Sequence, residues 1–309
     1  MDLWAGQGHA RDHSSRPKAL DADSGTHPAI LASQPTRHAS QPIRYSTKPI
    51  RYASKPTRYA PEMLTGIDHL VIAVTDPDTA VESIAHRLGV ESGGGGRHEG
   101  LGTRNRLLWL GDTYLEFITV IDHELAAASW VGAPTIVALG SGGGLAAIAI
   151  ASDDLASDVE RLRSHGSELP DPVTGERSRP DGRVVRWQLA AARLGPDWPP
   201  FLIEHDPAGA EWTAPDRAER ASTGGRLRVA EVAVDDVPLV TRRATRTLDL
   251  RFRPSLSGRG ARDADVGGQI LRYRPRRHRA EATLTVHLSV AGHEPADFEL
   301  LGCRWRVAG

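Results

Sequence analysis

The segment from Gly66 to Thr75 is mainly apolar and is predicted to form a β-strand, whose side chains point to its two faces in turn. One face of this strand would carry only apolar side chains, namely Leu70, Ile72 and Val74. The other face would carry Ile67, His69, Val71 and Ala73. If the next helix covers the apolar face, His69 points to the opposite side, where a polar ring needs a partner. The pattern therefore makes His69 a candidate ligand or acid/base group.

A helical pattern follows this strand at once. Asp76 is a suitable N-cap with Pro77 at the first helical position, and Gly89 is a suitable stop. Between them, apolar residues recur at helical spacing at Val81, Ile84, Ala85 and Leu88. We therefore predict an amphipathic helix whose apolar side packs on the strand.

The segment after this helix is predicted to form a loop and a hairpin. A glycine loop over 93–96 precedes strands over 104–110 and 113–120, and Gly111-Asp112 fits the tight turn between them. Together with the first strand and helix, these elements make one βαβββ unit.

A second unit of the same kind begins at Leu145. We predict a strand over 145–151, a helix capped by Ser152 or Asp153 and ended by Gly166, and strands over 183–189 and 200–205. Aligning Asp76 with Asp153 keeps the two helices in register without a gap. The repeat indicates a duplicated α+β fold, in which paired βαβββ modules form a cupped mixed sheet around a cleft.

The region from residue 227 onward carries a third pattern of strands and one helix. Its predicted elements cover 227–234, 237–247, 269–273, 282–290 and 298–307. We interpret 227–309 as a third, degenerate βαβββ-like region, reached through a linker over 208–226 that is rich in proline, alanine and charge. Val229 occupies the position that corresponds to His69 of the first unit, and a valine side chain cannot act as a ligand. Packing on the first pair, or a homodimer, would cover the inner face of this odd module.

The first 62 residues have a different composition. Residues 33–60 repeat with a period of seven, and a proline recurs in every repeat, at Pro35, Pro42, Pro49 and Pro56. A helix interior does not accept these prolines, so the repeat indicates extended, solvated chain rather than a coiled coil. We interpret 1–62 as a disordered tail, with Met63 as an alternative start. The alternative is a basic tether for nucleic acid or a membrane, in which the repeat tyrosines stack on bases.

Composition limits the classes of function. A net charge of −1 and a pI near 6.9 argue against a general polyanion binder. Cys303 is the single cysteine, which excludes an intrachain disulfide and a cysteine-rich zinc site. The longest apolar run, 145–151, is too short to span a bilayer. We therefore expect a cytoplasmic protein, with neither nucleic acid nor membrane as a partner.

Two predicted strands each carry one glutamate. Glu116 shares a face with Tyr114 and Ile118, so a buried carboxylate there needs a partner, which Arg104 or Arg186 could supply without a metal. Glu204 lies near the end of its strand, where a surface salt bridge is the alternative to a ligand. Trp109 and Trp187 are either core aromatics or pocket lining, and His98 and His205 are adjacent candidates that we interpret as solvated.

At this point several short segments resemble a known family. They are 66–74, 95–105, 114–118, 179–182 and 201–205. In this order the chain resembles the vicinal oxygen chelate superfamily in its glyoxalase-like branch, and we place such a domain at 63–207, with modules over 64–122 and 143–207. The resemblance implies a divalent metal held by His69, Glu116 and Glu204. The counterpart of His69 in the second module is Ala146, or Leu145 with a slip of one residue, so a fourth ligand is missing.

Such a nitrogen and oxygen set suits Zn, Ni, Mn, Mg or Fe(II). The resemblance implies a metal-dependent lyase, isomerase or dioxygenase-type enzyme that acts on a small oxygenated organic molecule. Glu116 and Glu204 would be the catalytic carboxylates, one of which takes a proton from the substrate. The predicted pocket is lined by Arg104, Trp109, Tyr114, Arg186 and Trp187. The alternative is a metal-free protein that sequesters a small ligand in the same cup, and the missing fourth ligand favours it.

Overall fold

The computed structural model describes residues 64–206 and 224–309. The predicted tail over 1–62 and most of the predicted linker lie outside the described residues. The first eight strands are β1 (Leu64–Ala73), β2 (Ser92–His98), β3 (Thr103–Leu110), β4 (Thr113–Val120), β5 (Gly144–Ser152), β6 (Val173–Ser178), β7 (Val184–Ala190) and β8 (Phe201–His205). The helices among them are α1 (Pro77–Leu88), α2 (His123–Ala128), α3 (Gly132–Gly140) and α4 (Leu155–Ser164).

These eight strands close into a barrel in the order β1-β4-β3-β2-β6-β7-β8-β5. Each module contributes four neighbouring strands, since β1 runs parallel to β4 and β5 runs parallel to β8. The two modules join where β1 and β5 pair antiparallel. The predicted α+β fold of paired βαβββ modules is confirmed. Strand β6 is an addition to the prediction, as are the short helices α2 and α3 that connect the modules.

The predicted glycine loop over 93–96 is wrong, because these residues belong to strand β2. The glycines are required by close approach of the neighbouring strands. A Cβ at Gly96 would collide with the carbonyl oxygen of Ser178 on β6, at the seam where β2 meets β6. Glycine therefore allows the two modules to meet edge to edge and close the barrel.

Both long helices of the barrel begin at an aspartate. Asp76 accepts a hydrogen bond from the backbone N–H of Asp78 and caps α1, and Gly89 ends that helix with a left-handed φ of 63°. Asp154 caps α4, so the predicted cap at Ser152 or Asp153 is wrong by one or two residues. Counting back equally from the two capping aspartates pairs His69 with Ala147, rather than with Ala146 or Leu145. The conclusion that this position has no ligand is unchanged.

The helix-facing side of β1 is as predicted. Leu70, Ile72 and Val74 share one apolar cluster with the buried residues of α1, among them Val81, Ile84 and Leu88. Val71 and Ala73 belong to a separate cluster inside the barrel. Ile67 breaks the predicted alternation and joins the helix side, because the pairing of β1 with β5 shifts between Ile67 and His69.

The C-terminal region forms a second sheet. Its strands are β9 (Arg226–Val234), β10 (Arg253–Pro254), β11 (Arg262–Val266), β12 (Gln269–Pro275), β13 (Leu284–Ser289), β14 (Ala296–Leu300) and β15 (Cys303–Ala308), with one helix, α5 (Val237–Leu248). The order β10-β11-β12-β9-β13-β15-β14 repeats the barrel order with one strand fewer. The region is therefore larger than the single degenerate module that we predicted. Strands β13 to β15 match the second module of the barrel, without a counterpart of its helix α4 or of its strand β6.

Helix α1 of the barrel contacts the part of the second sheet that lacks a helix of its own. The Arg87 guanidinium of α1 lies 4.4 Å from the ring centroid of Phe298, and the Arg87 carbonyl accepts a hydrogen bond from His293 Nε2 at 2.9 Å.

The predicted strand over 298–307 is instead a hairpin, since Leu301 and Gly302 turn with positive φ. Of the helices in the described part of the chain, none is long and apolar enough to cross a membrane.

The face of the second sheet that corresponds to the barrel interior is charged. Glu231 on β9 accepts hydrogen bonds from Arg274 at 2.7 Å and Arg272 at 3.3 Å, and His287 Nε2 lies 3.5 Å from the same carboxylate. Burial raises the pKa of Glu231, but the bonds from His287 and Arg274 outweigh it and lower that pKa to about 2. Ion pairs therefore fill this face, whereas the barrel holds a pocket.

Candidate functional site

The barrel interior contains a pocket that is partly open to solvent. Most of its wall is apolar or aromatic, and it includes Leu107, Trp130, Val185, Trp187, Phe201 and Ile203. The polar side chains that line it come from six strands and are His69, His98, Asn105, Tyr114, Glu116, Arg177 and His205. A largely apolar pocket with a few convergent polar groups is the usual form of a small-molecule site.

His69 is fixed on three sides. Its Nδ1 lies 2.6 Å from Asp68 Oδ1, its ring stacks on Tyr114 with centroids 4.5 Å apart, and the edge of Phe201 contacts it. Asp68 reaches this position because it is the extra residue at the irregularity in β1, where alternation alone would turn it towards the helix. Since a carboxylate only accepts, Asp68 holds the proton of His69 on Nδ1.

The other ring nitrogen of His69 faces a carboxylate. Nε2 lies 3.4 Å from Glu116 Oε2. The Glu116 Oε1 atom accepts a hydrogen bond of 2.6 Å from the side-chain amide of Asn105, whose own oxygen accepts from the Gly96 backbone N–H at 2.9 Å. With Nδ1–H committed to Asp68, a neutral His69 and an ionised Glu116 would turn two acceptors towards each other. A proton on His69 Nε2 would satisfy both atoms.

Asp68 also binds the histidine at the end of β8. His205 Nε2 lies 3.1 Å from Asp68 Oδ1. Burial would raise the pKa of the Asp68 carboxyl, but the charge and hydrogen bond of His205 and the bond from His69 outweigh it and hold that pKa well below the usual range. Asp68 is therefore ionised at neutral pH and orients both imidazoles.

His98 also lines the pocket, and its ring is neutral. Its Nδ1 lies 2.9 Å from Thr103 Oγ1, and its ring meets Trp187 edge to face. Burial lowers the pKa of His98 to about 4, and the positive charge of Arg177 acts in the same direction. His98 therefore offers hydrogen bonds without charge at neutral pH.

Comparison with known proteins adds the family. The sequence matches the family described as glyoxalase-like domain over residues 67–248, which is more than half of the chain. The chain belongs to this family. The match extends through the helix α5 of the second sheet, beyond the predicted end of the domain at 207. The family and the paired modules place the glyoxalase-like chain in the vicinal oxygen chelate superfamily.

One solved structure has the same fold over most of this chain. A hypothetical protein from Staphylococcus aureus superposes with a TM-score of 0.64 at 18% identity, covering 78% of this chain and 98% of its own. Methylmalonyl-CoA epimerase from Mycobacterium tuberculosis gives a TM-score of 0.37 at 23% identity, over 49% of this chain and 95% of its own. No curated protein matches the sequence. At 18% identity the likeness to the Staphylococcus aureus protein extends to the fold alone.

The predicted pocket residues fall into two groups. Tyr114 and Trp187 line the pocket, and Trp109 packs behind Tyr114 with ring centroids 4.9 Å apart. Arg104 and Arg186 point outward: Arg104 pairs with the aspartates at the start of α1, and Arg186 pairs with Glu176 at 3.3 Å. Neither arginine contacts Glu116, whose partner is the amide of Asn105.

Glu204 does not join His69 and Glu116. Its Oε2 accepts a hydrogen bond of 2.9 Å from the backbone N–H of Leu155, at the start of α4 outside the barrel. The inward residues of β8 are Phe201, Ile203 and His205. The interpretation of His205 as solvated is wrong, since its ring contacts both the pocket and Asp68.

The donor set was tested against the implied divalent metal. Zinc sites use at least three protein ligands. In the pocket, the side chains of His69 and Glu116 approach each other, whereas His98 and His205 are hydrogen-bonded to Thr103 and Asp68. Within 64–206 and 224–309, the structure contains no group of three or more histidine, cysteine, aspartate or glutamate residues placed to hold a metal. The residues present do not fit the group, so we derive no step through a metal.

Several site residues escaped the sequence analysis. They are Asp68, Asn105, Trp130, Arg177 and Phe201. Alternation carried a usable signal for one of them, because Trp109 facing inward on β3 also turns Asn105 inward and Arg104 outward. Asp68 had no such signal, since an irregularity in strand pairing is invisible in the pattern of one strand.

Proposed function

We propose that the barrel binds a small oxygenated organic molecule with an apolar body, and that His69 and Glu116 move a proton on it, as in an isomerase or a lyase. The observation that supports this is the continuous chain Asp68–His69–Glu116–Asn105 on one wall of a largely apolar pocket. Each of these four side chains contacts the next one, and the two in the middle, His69 and Glu116, line the pocket.

Each residue has a role that follows from its contacts. Asp68 orients the His69 ring and keeps Nδ1 protonated, and Asn105 holds one oxygen of Glu116. This leaves His69 Nε2 and Glu116 Oε2 to act on a substrate. Glu116 takes a proton from a carbon next to a carbonyl, and protonated His69 donates a hydrogen bond to the oxygen on which negative charge develops. Return of the proton to another position completes an isomerisation, and loss of a leaving group completes an elimination.

The surroundings favour such a step. His69 is 3% and Glu116 7% exposed, and the aromatic wall keeps water away from the pair. Charge development in a site of low dielectric responds strongly to a positioned donor. The same wall fits the apolar part of the substrate.

Metal-free binding without chemistry is the second candidate. The missing third ligand favours it, because the same pocket then serves to hold a small apolar ligand. The two candidates differ in whether the His69–Glu116 pair exchanges a proton with a bound carbon.

Deuterium exchange distinguishes them. The protein is incubated in D2O with a panel of aldehydes, ketones, 2-oxo acids and esters, and loss of the α-proton signal is followed by proton NMR. We expect exchange with wild type, and loss of that exchange in His69→Gln and Glu116→Gln. Glu204→Gln is the matched control, since Glu204 lies outside the barrel, and it should exchange like wild type. Binding without exchange supports the second candidate, and exchange that survives both pocket substitutions contradicts the first.

A further inference from the structure

We propose that the pocket recognises a carboxylate through Arg177, so that the natural ligand is a small organic acid with an apolar or aromatic body. This inference rests on the proposed function only for the reacting end of the ligand. The binding end is argued from the opposite wall of the barrel.

Arg177 faces the reacting pair across the barrel. It lies on β6, which is four strands from β1 in either direction around the eight-stranded ring. In the register of β6 and β7 it stands opposite Val185, and both side chains line the pocket. A ligand that fills the pocket therefore touches His69 at one end and Arg177 at the other.

Arg177 lies in a buried position beside the seam of β2 and β6. The residue is 4% exposed, and its Cγ lies 3.2 Å from where a Cβ of Gly96 would be. A side chain on that neighbour would crowd the arginine stem, so the glycine at the barrel seam also leaves room for it. Near it, His98 is neutral and adds a hydrogen-bonding ring without a second charge.

The charge pattern favours a carboxylate over a larger anion. One guanidinium matches one carboxylate with two parallel hydrogen bonds, whereas Glu116 on the far wall would repel a dianionic phosphate. The rest of the wall is mainly aromatic and aliphatic and offers contact area to a hydrocarbon body. The ligand class is thus a monocarboxylate whose reacting carbon lies away from the acid group, towards His69.

Paired acids and amides test this inference. Binding of phenylacetate, benzoate and octanoate, each beside its primary amide, is measured by calorimetry to wild type, Arg177→Met, Arg177→Lys and Arg186→Met. Arg186 is the matched control, because it is an arginine on the neighbouring strand that points outward. Circular dichroism shows which variants are folded.

We expect wild type to bind at least one acid about tenfold or more tightly than its amide, since a charge-assisted hydrogen bond contributes that much. Arg177→Met should remove this preference, Arg177→Lys should reduce it, and Arg186→Met should keep it. His69→Gln should also keep it, so loss of proton exchange with a retained preference refutes the proposed function alone. If wild type prefers no acid over its amide, or if the preference survives in folded Arg177→Met, this inference is wrong whatever the exchange experiment gives. Should Arg177→Met not fold, full preference in Arg177→Lys would refute it.

Discussion

Replacing Asp68 by asparagine tests the hydrogen-bond chain that orders the site. Asp68 is 8% exposed and receives bonds from His69 at 2.6 Å and from His205 at 3.1 Å. Two charge-assisted bonds at roughly 1.5–3 kcal/mol each give about 3–6 kcal/mol. The asparagine oxygen can still accept one of them, so we expect a loss near the lower end, about 3 kcal/mol.

Urea unfolding at neutral pH measures this loss, with the midpoint and the slope compared between Asp68→Asn and wild type. In a thermal melt the same loss lowers Tm by about 6–12 °C for a domain of this size. Glu176→Gln is the control, because that carboxylate forms an exposed pair with Arg186, and it should change stability by less than about 1 kcal/mol.

The pH dependence gives a second check. The folded pKa of Asp68 lies below its ordinary value of 3.8, so its stabilisation is present above that value and is lost as the pH falls through the folded pKa. The difference between wild type and Asp68→Asn should therefore shrink in acid. An Asp68→Asn variant as stable as wild type at neutral pH, or a difference that grows in acid, would refute the reasoning.

Three further predictions follow from the packing. Val74→Asp puts a charge into the cluster beneath α1 and should prevent soluble expression, whereas Val137→Asp at a position 69% exposed should express normally. Gly96→Ala should destabilise by about 1–3 kcal/mol because its Cβ meets Ser178 at the barrel seam, and Gly100→Ala, which meets no atom within 4 Å, should lower the melting temperature much less. Glu231→Gln should destabilise at neutral pH, and because the pKa of Glu231 falls from 4.5 to about 2, the difference from wild type in urea unfolding should disappear as the pH drops through that range. Equal stability of Glu231→Gln and wild type at neutral pH would show that the charged face of the second sheet is not stabilising.

Local periodicity was sufficient for the elements that alternate cleanly. Leu70, Ile72 and Val74 were assigned to the helix side of β1 from sequence, and the structure confirms them there with α1. Applied to β3, the same alternation predicts that Arg104 points outward, because it lies an odd number of residues from the inward-facing Trp109. On β8, Leu202 on the outer side implies that Glu204 is outer too, and its bond to the start of α4 agrees.

Other features depend on pairing between distant segments. Strand β2 is rich in glycine and has no alternating apolar pattern, so its strand conformation comes from its pairing with β3 and β6. The position of Asp68 depends on a shift in pairing with β5, and the opposition of Arg177 to His69 depends on barrel closure. The cap at Asp154 could not be separated from its polar neighbours, because three residues in a row can cap a helix.

The central claim is that His69 and Glu116 hold one proton between them, with Asp68 fixing the other side of the ring. Nitrogen NMR of histidine-labelled protein reports the state of each ring nitrogen. The account predicts that Nδ1 of His69 is protonated in wild type and in Glu116→Gln. It also predicts that the chemical shift of Nε2 changes in the variant, from that of a nitrogen sharing a proton to that of an unprotonated nitrogen. A His69 ring that carries its proton on Nε2 with Nδ1 bare, or an Nε2 resonance unchanged by Glu116→Gln, would contradict the account.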